Sequence, residues 1–478
     1  MQYEAVIGME VHVQILTQSK MFCGCSADYA STPPNTHVCP VCLALPGVLP
    51  VINAHAVEST LRTGLALGCT IPPHSKFDRK NYTYPDLPKG YQISQYDLPF
   101  CVDGGLEVQA EDGPKRIGIR RVHLEEDTAK LIHQGDISLI DFNRAGVPLM
   151  EIVTEADIRT ADEAWQYLNK LRTIVRYLGV SSGNMEEGAM RCEANISVRP
   201  VGSEELGTKV EVKNLNSFRS TRLAIEYEIQ RQANLLDSGG RVEQVTMGWD
   251  ENAHCTVFQR SKEYAEDYRY FPEPDLPPIE MAEDYVESLR ASLPELPDAK
   301  RARFCRDLSI KPTDAALLVQ DRELAAFFEA AVDAANETPP QTTANWLLVD
   351  VPAQLRDAGT DLAAASLTPA ALAELVDLVS AGTINATVGK RVLAEIIATG
   401  DAPRAIVERK GLGQISDNDA LQAIVAEIIA THPKPAQQYR KGEKKVIGFL
   451  IGQVMKRTGG KANVQVVRQQ LIDALDGQ

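Results

Sequence analysis

The chain has no run of about 18 or more apolar residues, so no segment of it is long and greasy enough to cross a bilayer as a helix. Its start, Met1-Gln2-Tyr3-Glu4-Ala5-Val6-Ile7, shows neither the basic opening of a signal peptide nor the Arg/Ser bias of a transit peptide, and a cytoplasmic location is expected. No G-x-x-x-x-G-K-[ST] loop and no strand–helix G-x-G-x-x-G turn occurs, so any nucleotide site must use an unusual scaffold. The stretch Gly179-Val180-Ser181-Ser182-Gly183-Asn184 has the G-x-S-x-G spacing but reads as a turn rather than a nucleophile elbow, and the protein-kinase motif set is missing. There is no Gly/Ser-rich amidase signature, and Cys101 and Cys255 stand alone without an evident histidine partner. Cysteine is scarce: nine in 478 residues, an odd number and too few for a disulfide scaffold.

What is present is ordinary for a soluble chain, with 44% hydrophobic and 24% charged residues and room for roughly two to four domains. The net charge of −16 argues against a grip on nucleic acid by the whole surface. Period-two alternation dominates up to about residue 275, where the proline-rich run Tyr270 to Pro278 is expected to close the main fold with a short helical exit. From 293 to 405 Ala, Leu and acidic residues predominate, with Pro at expected first turns such as Pro369, which predicts a helical domain. A helical tail from 406 to 478 differs in charge. Lys434, Arg440, Lys441, Lys444, Lys445, Lys456, Arg457 and Lys461 concentrate there against Glu443 alone, with Gly442, Gly448, Gly459 and Gly460 between them. A basic patch on an acidic protein orients as well as attracts a polyanion.

Four of the nine cysteines cluster. Cys23-Gly24-Cys25 and Cys39-Pro40-Val41-Cys42 are two short chelating pairs on Gly- and Pro-bearing loops. Four thiolates suit tetrahedral zinc and leave no open position, so a structural Zn²⁺ is expected.

Carboxylates recur inside strand-like segments. Glu10, His12 and Gln14 share one face of Val6 to Ile15, opposite Met9, Val11 and Val13. The apolar strand Ile117 to Leu124 runs into Glu125-Glu126-Asp127, and Glu151 sits alone in Leu149-Met150-Glu151-Ile152-Val153. A buried, unpaired carboxylate is costly, so Glu151 demands a metal or cation beside it. Arg191 to Arg199 and Thr208 to Asn214 read as one hairpin whose polar faces carry Glu193, Asn195, Lys209, Glu211 and Lys213. A sheet face that repeatedly offers Glu, His, Asn and Lys suits Mg²⁺ with phosphate, as phosphoryl transfer requires.

The blocks Phe77-Asp78-Arg79-Lys80-Asn81-Tyr82-Thr83-Tyr84-Pro85-Asp86-Leu87-Pro88-Lys89-Gly90, Val122-His123-Leu124-Glu125-Glu126-Asp127, Asp141-Phe142-Asn143-Arg144-Ala145-Gly146-Val147-Pro148, Lys213-Asn214-Leu215-Asn216-Ser217-Phe218 and Asp267-Tyr268-Arg269-Tyr270-Phe271-Pro272 are long strings of low degeneracy. The sequence resembles the B subunit of the glutamyl/aspartyl-tRNA amidotransferases over nearly its whole length. The resemblance implies an α+β chain: a cradle-like mixed-sheet catalytic domain (1–292), an all-α helical domain (293–405) and a small helical tail of the YqeY type (406–478). It implies that ATP phosphorylates the side-chain carboxylate of Glu or Asp mischarged on tRNA(Gln) or tRNA(Asn), and that ammonia then displaces phosphate. The ammonia would come from a separate amidase, and the amidase (A) and small (C) subunits would complete a heterotrimer. By the same resemblance His12, Glu125 and Glu151 would bind the catalytic Mg²⁺, and Glu10, Glu193 and Glu211 a second ion. Lys80, Lys213, Asn214, Asn216, Ser217 and Arg219 would contact ATP or the acyl phosphate, and Lys89 would lie near the ammonia entry. Two segments depart from the family pattern: Trp249 to Thr256 lacks a glycine before Thr256, and the loop Ser26 to Val38 is less typical.

A different reading is a zinc-containing tRNA-binding scaffold without catalysis; Glu10, His12, Glu125 and Glu151 all being present favours the enzyme. A free-standing small-molecule kinase would explain the carboxylates but not the basic tail.

Overall fold

The alternating N-terminal segment forms strand β1 (Tyr3–Gln14), which lies inside an eight-stranded sheet. The computed structural model describes residues 3–261, 268–336, 338–413 and 418–476; Asp267 of the last signature block and Met1-Gln2 of the N-terminus lie outside them. After β1 come helix α1 (Ala54–Ala66) and the short strands β2 (His74–Ser75), β3 (Asp78–Asn81) and β4 (Tyr91–Ser94). They are followed by β5 (Cys101–Ala110), β6 (Gly113–Glu126), a separate hairpin of β7 (Lys130–Gln134) and β8 (Ile137–Asp141), β9 (Pro148–Thr154) and helix α2 (Ala161–Tyr177). Then come β10 (Met190–Pro200), β11 (Val210–Leu215), helix α3 (Phe218–Asp237), β12 (Val245–Asp250) and β13 (Cys255–Ser261).

The sheet order is β13-β12-β11-β10-β1-β9-β6-β5. Every neighbouring pair is antiparallel except β11 and β12, which run parallel because α3 carries the chain back over the sheet. The sheet is therefore mixed, and β10 and β11 are antiparallel neighbours as the hairpin reading requires.

One face of this sheet is apolar. Met9, Val11 and Val13 of β1, Leu124 of β6, Ile152 of β9 and Ala194 of β10 all enter a single core that also takes residues of α1, α2 and α3. Burying each large apolar side chain contributes about 1.5–3 kcal/mol, so this face anchors the sheet to the core. The opposite face is thereby free to carry polar groups.

The proline-rich run lies near the end of the first unit and still pairs with it before a short helix follows. Phe271–Pro272 pairs with β3, and Glu273, almost fully buried, accepts two hydrogen bonds from Arg79 at 2.7 and 2.9 Å. Ile279–Glu280 pairs with β2, and the helix Glu283–Ala291 places Leu289 in the same core. Proline cannot donate within a ladder, but a two-residue edge strand tolerates it. The compact unit extends to Pro297.

The second unit, Asp298–Gln478, contains helices only among its described residues. The helices Pro312–Leu318 and Pro369–Ser380 start at proline, as their composition predicts. Two separate apolar clusters occur here, one from Phe304 to Leu412 and one from Leu421 to Leu475.

Candidate active site

The polar sheet face is organised by strand register. Arg191, His12, Glu151 and His123 stand in one row across β10, β1, β9 and β6. Glu193, Glu10, Val153 and Arg121 form the next row. Directly paired residues of antiparallel strands project to the same side, so both rows face one way. One ligand atom each from His12, Glu125 and Glu151 lies within 4.8 Å of the others, and the same holds for Glu10, Glu193 and Glu211. Residues from five different strands thus form two acidic groups, joined through Glu10 and His12 two positions apart on β1.

The electrostatics of the first group are those of a charge cluster. His12 Nε2 lies 3.4 Å from Glu151 Oε2 and 3.6 Å from Glu125 Oε1. Burial alone would lower the His12 pKa, but Glu151, then Glu125 and Glu193, push it up to about 9. Burial disfavours the Glu151 carboxylate, yet His123 and His12 outweigh it and hold its pKa well below the usual range. In the second group, burial, and then repulsion from Glu151 and Glu193, raises Glu10 above its ordinary value.

His123 is the residue that sequence reasoning missed. It is 2% exposed, and its Nε2 lies 3.2 Å from Glu151 Oε2 and 3.9 Å from Glu125 Oε2. Alternation in Val122-His123-Leu124-Glu125 is signal enough to place it beside Glu125. Ser94 of β4 was also missed; its hydroxyl donates to Glu125 Oε2 at 3.0 Å. No short-range pattern links Ser94 to Glu125, because the contact depends on how β4 lies against β6.

The three consecutive acids separate in space. Glu125 enters the cluster. Glu126 accepts from Lys89 Nζ at 2.7 Å and from the Ile93 backbone N–H at 3.0 Å. Asp127 accepts from Arg191 at 2.8 Å and Gln14 at 2.7 Å. Lys89 is therefore outside the carboxylate clusters, and it lines a cavity of about 190 Å³ with Glu126, Cys23 and Cys42.

Lys80 belongs to the cluster. Burial opposes its ammonium, yet Glu125 and then Glu151 hold its pKa well above the ordinary lysine value. Lys213 donates to Glu193 at 2.8 Å and lies 3.7 Å from Glu211. Asn214 lies near the end of β11, Asn216 and Ser217 form the turn that follows, and Arg219 lies in the first turn of α3. Asn214 adopts a left-handed backbone (φ 62°). Ser217 caps α3 by accepting from the Ser220 backbone N–H at 3.0 Å, so its hydroxyl already has a structural task. Asn216 and Arg219 are exposed.

Whether these residues suit divalent cations can be judged from their donors. Both groups are rich in carboxylate oxygen, which hard cations prefer. Asn195 donates to Glu10 at 2.8 Å, while its own Oδ1 is buried without a partner, an acceptor left over beside the second group. The donor set fits a magnesium-like ion.

The cysteine loops also converge. Sγ atoms of Cys23, Cys25, Cys39 and Cys42 lie within 4.8 Å of one another, and Cys39 Sγ is 3.9 Å from Cys42 Sγ. Zinc–sulfur bonds of about 2.3 Å in a tetrahedron place sulfurs about 3.8 Å apart, so the four suit zinc. Lys20, 1% exposed, reaches Cys42 Sγ at 3.7 Å and donates to the carbonyls of His37 (2.8 Å) and Phe142 (3.2 Å). The atypical loop Ser26 to Val38 is held by the Asp141–Arg144 block: Asn143 Oδ1 accepts from His37 N at 2.8 Å, and Asp141 Oδ1 from Asn35 N at 3.0 Å. In the other atypical segment, Glu251 accepts from Ser220 at 2.6 Å and Trp249 at 3.0 Å, tying the β12–β13 turn to α3.

The GatB/GatE catalytic domain family matches residues 5–287, and the GatB domain family matches residues 326–475. The chain belongs to the GatB/GatE family. It is 54% identical to the B subunit of the aspartyl/glutamyl-tRNA(Asn/Gln) amidotransferase of Dehalococcoides mccartyi strain CBDB1, over 99% of both chains. It is similarly 54% identical to the protein of that name from Thermomicrobium roseum, over 99% of both, and 50% identical to that of Synechocystis, over 98% of this chain and 96% of the relative.

Proposed function

We propose that this chain activates the side-chain carboxylate of Glu-tRNA(Gln) or Asp-tRNA(Asn) with ATP and passes it to ammonia, working with the amidase (A) and small (C) subunits of a heterotrimer. What carries the reading is the meeting of two oxygen-rich ligand groups on one sheet face with Lys80 beside them. A carboxylate is a poor acceptor for ammonia because oxide is a poor leaving group. A carboxylate oxygen attacks the γ-phosphorus, the bond to the β–γ bridging oxygen breaks, and ADP departs. Ammonia then attacks the acyl carbon, the carbon–oxygen bond breaks, and inorganic phosphate leaves, taking up the proton that the nitrogen gives away. His12, Glu125 and Glu151, and likewise Glu10, Glu193 and Glu211, would hold magnesium, whose charge neutralises phosphate oxygens. Lys80, with its pKa held up by the carboxylates, stays charged to meet the same phosphates. Lys213 bridges Glu193 and Glu211 and keeps both carboxylates in place. The cavity lined by Lys89 and Glu126, whose walls are both polar and apolar, would be where ammonia enters. Basic residues of the tail would hold the tRNA backbone.

The test is ATP hydrolysis stimulated by mischarged tRNA. Glu125→Gln keeps the size and the Ser94 contact but removes the charge, and turnover should fall about 10²-fold or more. Equal turnover in both proteins would instead favour a non-catalytic tRNA-binding scaffold.

A further inference from the structure

Strand β6 changes phase halfway along. Ile117 and Ile119 point into the core, and both are odd-numbered; Val122 and Leu124 also point into the core, and both are even-numbered. The switch falls at a bulge where Ile119 opposes Thr154 but Arg121, two residues on, opposes Val153. A bulge inserts one residue and re-aims the side chains that follow it. Without it Arg121 would enter the apolar core. With it Arg121 joins His123 and Glu125 on the polar face.

Most arginines in this unit that meet a carboxylate do so closely. Arg120 forks onto Glu155 at 2.7 and 3.0 Å, Arg79 onto Glu273, and Arg191 meets Asp127 at 2.8 Å. Arg121 makes no ion pair among the described residues, and its Nε is buried without a hydrogen-bond partner. Its cross-strand neighbours are Val102 and Val153, which offer no counter-ion, and Glu10 of the same row lies a further strand away. Beyond the sheet its charge is felt by Tyr270, a phenol rather than a carboxylate. A guanidinium aimed at the reaction face, partly desolvated and unmatched, is costly for stability alone.

We propose that Arg121 is a catalytic residue that forks onto oxygens of the terminal phosphoryl group of ATP and of the acyl phosphate made from it. This rests on the ATP-dependent reading above. A planar fork matches two phosphate oxygens in a way that lysine does not. The two carboxylate groups can bring phosphate only through cations; Arg121 adds to the point charge of Lys80 a direct, two-pronged contact.

Binding of ADP and of ADP–beryllium fluoride to the full chain with Mg²⁺, measured by calorimetry, isolates the terminal phosphoryl group. Wild type should bind ADP–beryllium fluoride more tightly than ADP. Arg121→Gln should lose that gain by about tenfold or more while its ADP affinity stays within about threefold, and Arg121→Lys should recover only part of it. An undiminished gain in the glutamine variant, or an equal loss for both ligands, would overturn the assignment. Should the glutamine variant melt at a lower temperature, the lysine variant decides: full retention of the gain overturns the fork contact. Failure of wild type to bind either ligand would strike the ATP reading itself, and Arg121's role with it.

Discussion

At the scale of single residues, meaning comes from the partner rather than the side chain. Glu125, Glu126 and Asp127 are neighbours in sequence, yet they serve a histidine–carboxylate cluster, a lysine and an arginine. The same holds away from the site. Asp377 accepts from the Asn336 backbone N–H at 3.0 Å, from the Asn336 side chain at 2.9 Å and from Thr338 at 2.5 Å. Burial would raise its pKa, but these hydrogen bonds, Thr338 first, hold it below the ordinary value. A depressed folded pKa means the stabilisation is complete above about pH 4 and is lost as pH falls through the folded value. Asp377→Asn should therefore lower the unfolding free energy by about 1 kcal/mol at pH 7 and by almost nothing near pH 2, as read by urea titration at both pH values. A pH-independent difference would show that the charge is irrelevant. His123 is legible in the alternation of its strand, whereas Ser94 is not, because its contact spans two elements with no fixed sequence relation.

At the scale of elements, loops depend on what ties them. The two cysteine pairs sit on irregular backbone, and Lys20, Asn143 and the Asp141–Arg144 block pin that backbone to the segment before β9. Zinc at the four sulfurs would close the loop from Cys23 to Cys42. Its removal with a strong chelator should lower the thermal midpoint by several degrees and open residues 23–42 to protease, and Cys39→Ser should reproduce both effects. Protein purified without chelator that contains no zinc, with the same midpoint after chelation, would refute this. The cysteine spacing is plain in the sequence; the buried lysine behind it is not, since a lone Lys in sequence carries no sign of burial. The bulge in β6 is written only faintly, as the doublet Arg120-Arg121 where alternation breaks.

At the scale of the whole molecule, charge and cores divide the labour. No helix among the described residues is long and apolar enough to cross a membrane. The basic tail is less unopposed than its sequence suggests: Lys444 pairs with Asp476 at 2.9 Å and Arg457 with Glu427 at 3.6 Å, both acids outside the basic stretch. Lys434, Lys441, Lys445 and Lys456 are exposed and form no ion pair among the described residues. Gly442, Gly459 and Gly460 have positive φ where helices end, so chain reversal accounts for them without a ligand. Ile406, Val407 and Leu412 pack in the preceding helical cluster, so a tail deletion should begin after Gly413 rather than at 406. Removing the chain beyond Gly413 should weaken tRNA binding and reduce the slope of log K against log salt by about 3 to 4, close to one unit per lost lysine contact, with ATP affinity unchanged. An unaltered salt slope would rule the tail out as a tRNA site.

The sequence by itself determined the family, the mixed strand-then-helix order, the cysteine set and the identity of most carboxylates, because periodicity and long motif strings are local properties. Tertiary structure alone decided which acids share a cluster, which lysines are already paired, and that Arg121 faces the polar side of the sheet. Those facts follow from strand register and a one-residue bulge, and register is set by contacts between segments apart in sequence: β1 meets β9 and β10 more than a hundred residues on, and β6 meets β9 across an intervening hairpin.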